Sequence, residues 1–165
     1  MANPLQNEKE LFEQIKTENI TMPPVIWNFI YTYIGDDVTA INLICQYYLD
    51  KSEPMPVAEA KRIETYSSNA GDVIKRLTVK GEENRHFPDF EKNMPLHPLI
   101  IEMLTHYIGN DTQVINLIVG VHIETGDDYP LSKQEIANVL SHTSSLKEFM
   151  EKLREATYKG ERIKQ

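Results

Sequence analysis

"YIGDDVTAINLI" occupies residues 33–44, and "YIGNDTQVINLI" occupies residues 107–118. The same phrase returns at an offset of 74 positions. Outward from it, residues 24–56 align without a gap on residues 98–130. Pro24, Tyr33, Ile34, Gly35, Asp37, Ile41, Asn42, Leu43, Ile44 and Pro56 all recur in the second copy. Self-similarity at a fixed spacing identifies the building block of a fold before any single element is read. Two copies imply a duplicated unit.

The repeat also resolves the secondary structure. "VIWNFIYTYI" (residues 25–34) alternates apolar and polar side chains and is rich in aromatics, so alone it reads as a strand. Its counterpart "LIIEMLTHYI" (residues 99–108) spaces Leu99, Ile100, Met103, Leu104, Tyr107 and Ile108 as a helix does. The matched positions Val25, Ile26, Phe29, Ile30, Tyr33 and Ile34 are apolar too, which makes both segments helical. Gly35 and Gly109 follow the last apolar turn and are expected to end these helices in a left-handed conformation. Asp37 and Asp111 are then expected to cap the next helix. That next helix, "VTAINLICQYYL" or "TQVINLIVGVHI", is apolar nearly all round and predicts a central, buried element. Asn42 and Asn116 inside it are expected to bond to neighbouring backbone.

Proline-bearing turns follow, "DKSEPMP" and "ETGDDYP". After them come "VAEAKRIETY" and "AGDVIKRLTV" in the first copy, and "LSKQEIANVL" and "SSLKEFMEKLREAT" in the second. Ser132 with Glu135, and Ser145 with Glu148, stand at capping-box spacing and predict two helix starts. An amphipathic helix from about Asn7 to Asn19 turns Leu11, Phe12 and Ile15 inward. The expected fold is all-α: a tandem duplication of a roughly four-helix unit, period 74, preceded by one amphipathic helix. Its organisation is an N-terminal helix (1–21), repeat A (22–80), a linker held down by Phe87 and Phe90 (81–94), repeat B (95–159) and a polar tail (160–165).

Composition narrows function. With 41% apolar and 25% charged residues over 165 positions, the chain has the make-up of a soluble globular protein. A formal charge of −8 opposes wholesale coating of nucleic acid or anionic membrane. "VINLIVGVHI" is too short to span a bilayer, so no membrane partner is expected. The start, "MANPLQNEKE", lacks the basic-then-apolar pattern of a secretory leader, and Cys45 is the single cysteine; a reducing cytoplasmic setting follows. Phosphate loops, nucleophile elbows, dinucleotide fingerprints and calcium loops are absent from the sequence. His86, His97, His106, His122 and His142 show no i,i+4 pairing. No metal, cofactor or enzymatic activity is expected.

The expected role is therefore regulation or scaffolding through contact with another protein or through self-association. Half of the 14 aromatics fall between Trp27 and Tyr66. Trp27 and Tyr31 lie i,i+4 on one flank, off the core stripe, where the second copy has Ile101 and Thr105; they are the candidate contact residues, towards the sister repeat, a second copy of the chain or another protein. A second reading starts from "LSKQEIANVLSHTSSLKEFMEKL" (residues 131–153), which resembles a DNA-binding helix-turn-helix with Ile136 and Ala137 in the first helix and Met150 in the second. Ser141 stands where that motif carries glycine, and Lys147 where it carries an apolar residue. The resemblance implies contacts by Lys61, Arg62, Lys75, Arg76, Lys133, Lys147 and Arg154. Residues 56–80 carry five basic and three acidic groups and residues 131–165 seven and five, whereas the rest of the chain is acidic. Against nucleic acid, Lys147–Glu151 and Glu148–Lys152 form self-neutralising i,i+4 pairs. A third reading is an enzyme with a site between the repeats.

Overall fold

The computed structural model describes residues 8–78 and 96–157. The linker 81–94 with Phe87 and Phe90, and the tail 160–165, lie outside them. The described residues are helical, with α1 at Glu8–Thr17, α2 at Pro24–Ile30, α3 at Asp36–Lys51 and α4 at Val57–Thr78. In the second half, α5 spans Pro98–Met103, α6 Gly109–Thr125 and α7 Lys133–Thr157. Proline begins α2 and α5, where a missing N–H costs nothing and the fixed φ suits the first turn. Ser132 and Glu135 form the predicted capping box, with reciprocal bonds of 3.1 Å between each backbone N–H and the other side chain.

Between α2 and α3 the chain does not stop. It passes through one π-helical turn, Tyr31–Gly35, and α5 passes into α6 through another, Leu104–Ile108. Each pair is thus a single rod. Gly35 (φ −60°) and Gly109 (φ −59°) are ordinary right-handed helical residues, which overturns their expected role as helix stops. Asp37 and Asp111 consequently have no free helix start to cap. The reason lies in the apolar spacing. Ile26, Ile30, Ile34 and Val38 are four apart and all buried, as are Ile100, Leu104, Ile108 and Thr112. In a regular α-helix every four-residue step drifts by about 40°, so three steps would swing the last side chain about 120° off the core. A π turn absorbs one extra residue and keeps the four in line.

The left-handed stops fall later. Ser52 (φ 55°) ends α3 and Gly126 (φ 81°) ends α6, again 74 positions apart. Downstream, the pairs of short helices expected in each half are single helices of 22 and 25 residues. No Gly or Pro interrupts residues 131–159, and Ile136, Val139, Thr143, Leu146, Met150 and Leu153 continue one buried stripe across the anticipated break. Ser145 therefore lies inside α7 and starts nothing.

The long rods build one core. α3 and α6 each pack against both α4 and α7, so the contacts of each half are made largely with the other. The two asparagines sit at these crossings. Thr143 on α7 donates its hydroxyl to Asn42 Oδ1 on α3, and Asn116 Nδ2 on α6 donates to Ser68 Oγ on α4 at 3.4 Å. Both ties run to hydroxyls of the opposite half, not to backbone as expected. At one end the two connectors meet. Met55 and Leu131 form an antiparallel bridge, and Val57 N–H at the start of α4 donates to Asp127 Oδ1 at 2.8 Å. Buried His122 lies between them, its Nδ1 2.9 Å from the Tyr129 carbonyl oxygen and its Nε2 2.9 Å from that of Met55. Two carbonyls facing one ring make His122 a clip across both connectors. α1 packs along α7 with Phe12 and Ile15 buried.

Candidate interaction faces

Trp27 is buried at 2% exposure and donates its indole N–H to Thr157 Oγ1 at 3.0 Å. Tyr31, half-buried, packs on Trp27 with ring centres 5.7 Å apart and donates its hydroxyl to Glu151. The Arg154 guanidinium sits 5.4 Å from the centre of the Tyr31 ring. Burial, the carboxylate of Glu151 and its hydrogen bond raise the Tyr31 phenol above its ordinary value. This flank is an internal seam between α2 and the end of α7. Trp27 and Tyr31 are thus engaged within the chain and do not form an open contact surface, because the opposing helix comes from the other half of the same molecule.

The basic candidates are exposed but scattered along α4 and α7. Arg62 pairs with Glu59 at 3.1 Å, and Lys133 Nζ donates to Ser52 Oγ at 2.9 Å. Lys61, Lys75, Arg76 and Lys147 are exposed on the same two helices. Glu148–Lys152 forms as an i,i+4 pair at 3.2 Å, whereas Glu151 turns from Lys147 to Tyr31. The helix-turn-helix geometry implied by residues 131–153 is not present, since α7 runs unbroken through Ser141.

The open apolar surface is elsewhere. On α3, Leu43 and Tyr47 are 68% and 50% exposed; on α6, Leu117 and Val121 are 71% and 61% exposed. Leu43 and Leu117 are counterparts at the 74-residue offset, and so are Tyr47 and Val121. Half-buried Ala40 extends the first patch, beside Ile44, which is itself buried, and half-buried Val114 and Ile118 extend the second, at i, i+3, i+4, i+7 spacing on each helix. The expectation that these helices are buried all round is corrected. Each turns Ile41 and Cys45, or Ile115 and Val119, to the core and leaves the opposite side open. Because α4 and α7 both lie between α3 and α6, the patches are separate. The signal was in the repeated "INLI": its Leu lies about 160° from the stripe that continues through Cys45 or Val119, yet overall apolarity masked the division into two faces.

Other groups are accounted for internally. His142 Nδ1 lies 2.8 Å from Asp111 Oδ1, and that contact opposes the upward push of burial on the Asp111 carboxyl. Asp37 has no such histidine; burial, and then Asp36 beside it, raise its carboxyl to about 6. It lines an acidic cleft of about 410 Å³ with Asp36, Asp72 and Arg76. Cys45 is fully buried, and burial pushes its thiol up to about 12. Among the described residues no cluster of three or more His, Cys, Asp or Glu could hold a metal, and no helix is long and apolar enough to cross a membrane. The chain matches no protein-family model, and neither curated proteins nor solved structures give a significant match.

Proposed function

We propose that the chain is a helical protein-interaction module, regulatory or scaffolding in role, that binds through the outer faces of α3 and α6. The observation that carries this is the pair of exposed patches, Leu43 with Tyr47 and Leu117 with Val121, at corresponding places in the two halves. Isolated exposed leucines are commonplace, but i,i+4 apolar pairs flanked by half-buried Ala40 on α3, or by half-buried Val114 and Ile118 on α6, support a reading as interaction faces. Covering one such side chain contributes roughly 1.5–3 kcal/mol. We further propose that the halves descend from one duplicated unit. The recurring residues, the two π turns and the left-handed residues at 52 and 126 support that origin.

The test is affinity capture from a cell extract with parent chain and the Leu43→Ala/Leu117→Ala variant, both checked for helicity. Specific partners are expected on the parent and lost from the variant. Capture of the same partners by both would sink the proposal. Duplex DNA at low salt supplies the rival arm. Binding that survives the two substitutions and falls steeply with salt would shift the function to the basic faces of α4 and α7.

A further inference from the structure

We infer that the occupant of each patch is a basic amphipathic helix of a partner protein, so that one chain takes two such helices. This rests on α3 and α6 being binding faces and adds the chemistry of what they bind.

The footprint is that of a helix. From Ala40 to Tyr47, and from Val114 to Val121, each stripe spans seven residue steps, on the order of 10 Å. Two turns of apolar surface along a helix axis match the anchors of one partner helix laid alongside, spaced i, i+3, i+4 and i+7. They are too narrow for an extended domain face.

The charge selects the sign. α6 contains no Lys or Arg and exposes Glu124; α3 exposes Asp36 and Asp50 against the single cation Lys51. The connectors that continue the two helices add exposed Glu53, Asp127 and Asp128. A second copy of this chain would bring the same acidic surroundings and be repelled. Lysines or arginines flanking an apolar stripe would instead be attracted, in a chain whose net charge is −8. Tyr47 adds a half-exposed ring whose face attracts a cation.

Three synthetic helical peptides test this against the full chain by calorimetry. One carries leucine at the four anchor positions with lysine elsewhere, one the same leucines with glutamate, and one the leucine and lysine residues scrambled to abolish the stripe. The leucine–lysine peptide is expected to fill two sites. Leu43→Ala and Leu117→Ala should each weaken one site about tenfold or more, and the scrambled peptide should bind both about tenfold more weakly. Leu43→Gln and Leu117→Gln replace the alanine variants if those lose helicity. Equal binding of the glutamate peptide, still sensitive to Leu43 and Leu117, would overturn the basic partner while leaving the faces as binding sites. Lysine-peptide binding unchanged by both substitutions would overturn the faces themselves. No binding of the lysine peptide would overturn the inference alone if partner capture remains sensitive to the same substitutions. Sedimentation of the chain as a dimer that Leu43→Ala/Leu117→Ala dissociates would show a second copy as the occupant and would also overturn it.

Discussion

Single residues in this chain do different work from what their types first imply. Gly109 is in regular helix, and a Cβ placed there meets nothing within 4 Å. Gly109→Ala should therefore stabilise the fold by about 0.5–1 kcal/mol, since alanine loses less backbone entropy in a helix. Gly126, at φ 81°, should respond oppositely, with Gly126→Ala costing about 1 kcal/mol. Urea melts of the two variants should move in opposite directions. Asp37 has a pH signature. Its folded-state value of about 6 exceeds the ordinary carboxyl value of 3.8, so the protonated folded form is favoured. Its contribution is fully present below the unfolded value and is lost as pH rises through about 6. Asp37→Asn should thus melt higher than the parent at neutral pH, with the advantage shrinking towards about pH 4. A gap that is constant with pH would refute the burial of this carboxyl.

At the level of elements, the π turns explain both what the sequence made legible and what it hid. Helical type, the amphipathic first helix and the Ser132 capping box are legible in the sequence, because each depends on local chemistry. The continuity of the rods was not. A glycine after an apolar turn, followed by aspartate, satisfies the local rules for a stop and a restart, and only the four-residue spacing of Ile26, Ile30, Ile34 and Val38 argues otherwise. Likewise, Leu43 and Leu117 looked like core because their helices are apolar overall; which side remains open depends on how few neighbours a rod has, a property of packing. Which surface Trp27 meets is not legible locally, because its partner, Thr157, is 130 residues away. The π turn has a mechanical test. Thr32 is exposed, so Thr32→Ala should change stability little. Deleting Thr32 removes the one extra residue and lets the wide turn close into a regular α turn, with α2 and α3 kept in register. The deletion should therefore unfold at a urea concentration close to that of the substitution, and a much lower midpoint would refute the one-residue account of the turn.

Across the whole molecule, each half is completed by the other. α3 and α6 pack on α4 and α7 in both halves, and His122 ties the Tyr129 carbonyl to that of Met55. Residues 22–80 or 95–159 expressed alone should lack cooperative melts, and mixing them should restore helicity and a single transition. Independent folding of either half would contradict the shared core. The same enclosure gives Cys45 a use. It is the only thiol in the chain, it is fully buried on α3, and its thiol is held at about 12. A thiol reagent can reach it only when the rods part. Its labelling rate is therefore a built-in clock for the opening of the bundle, and a partner seated on α3 should slow that clock without touching the sulfur.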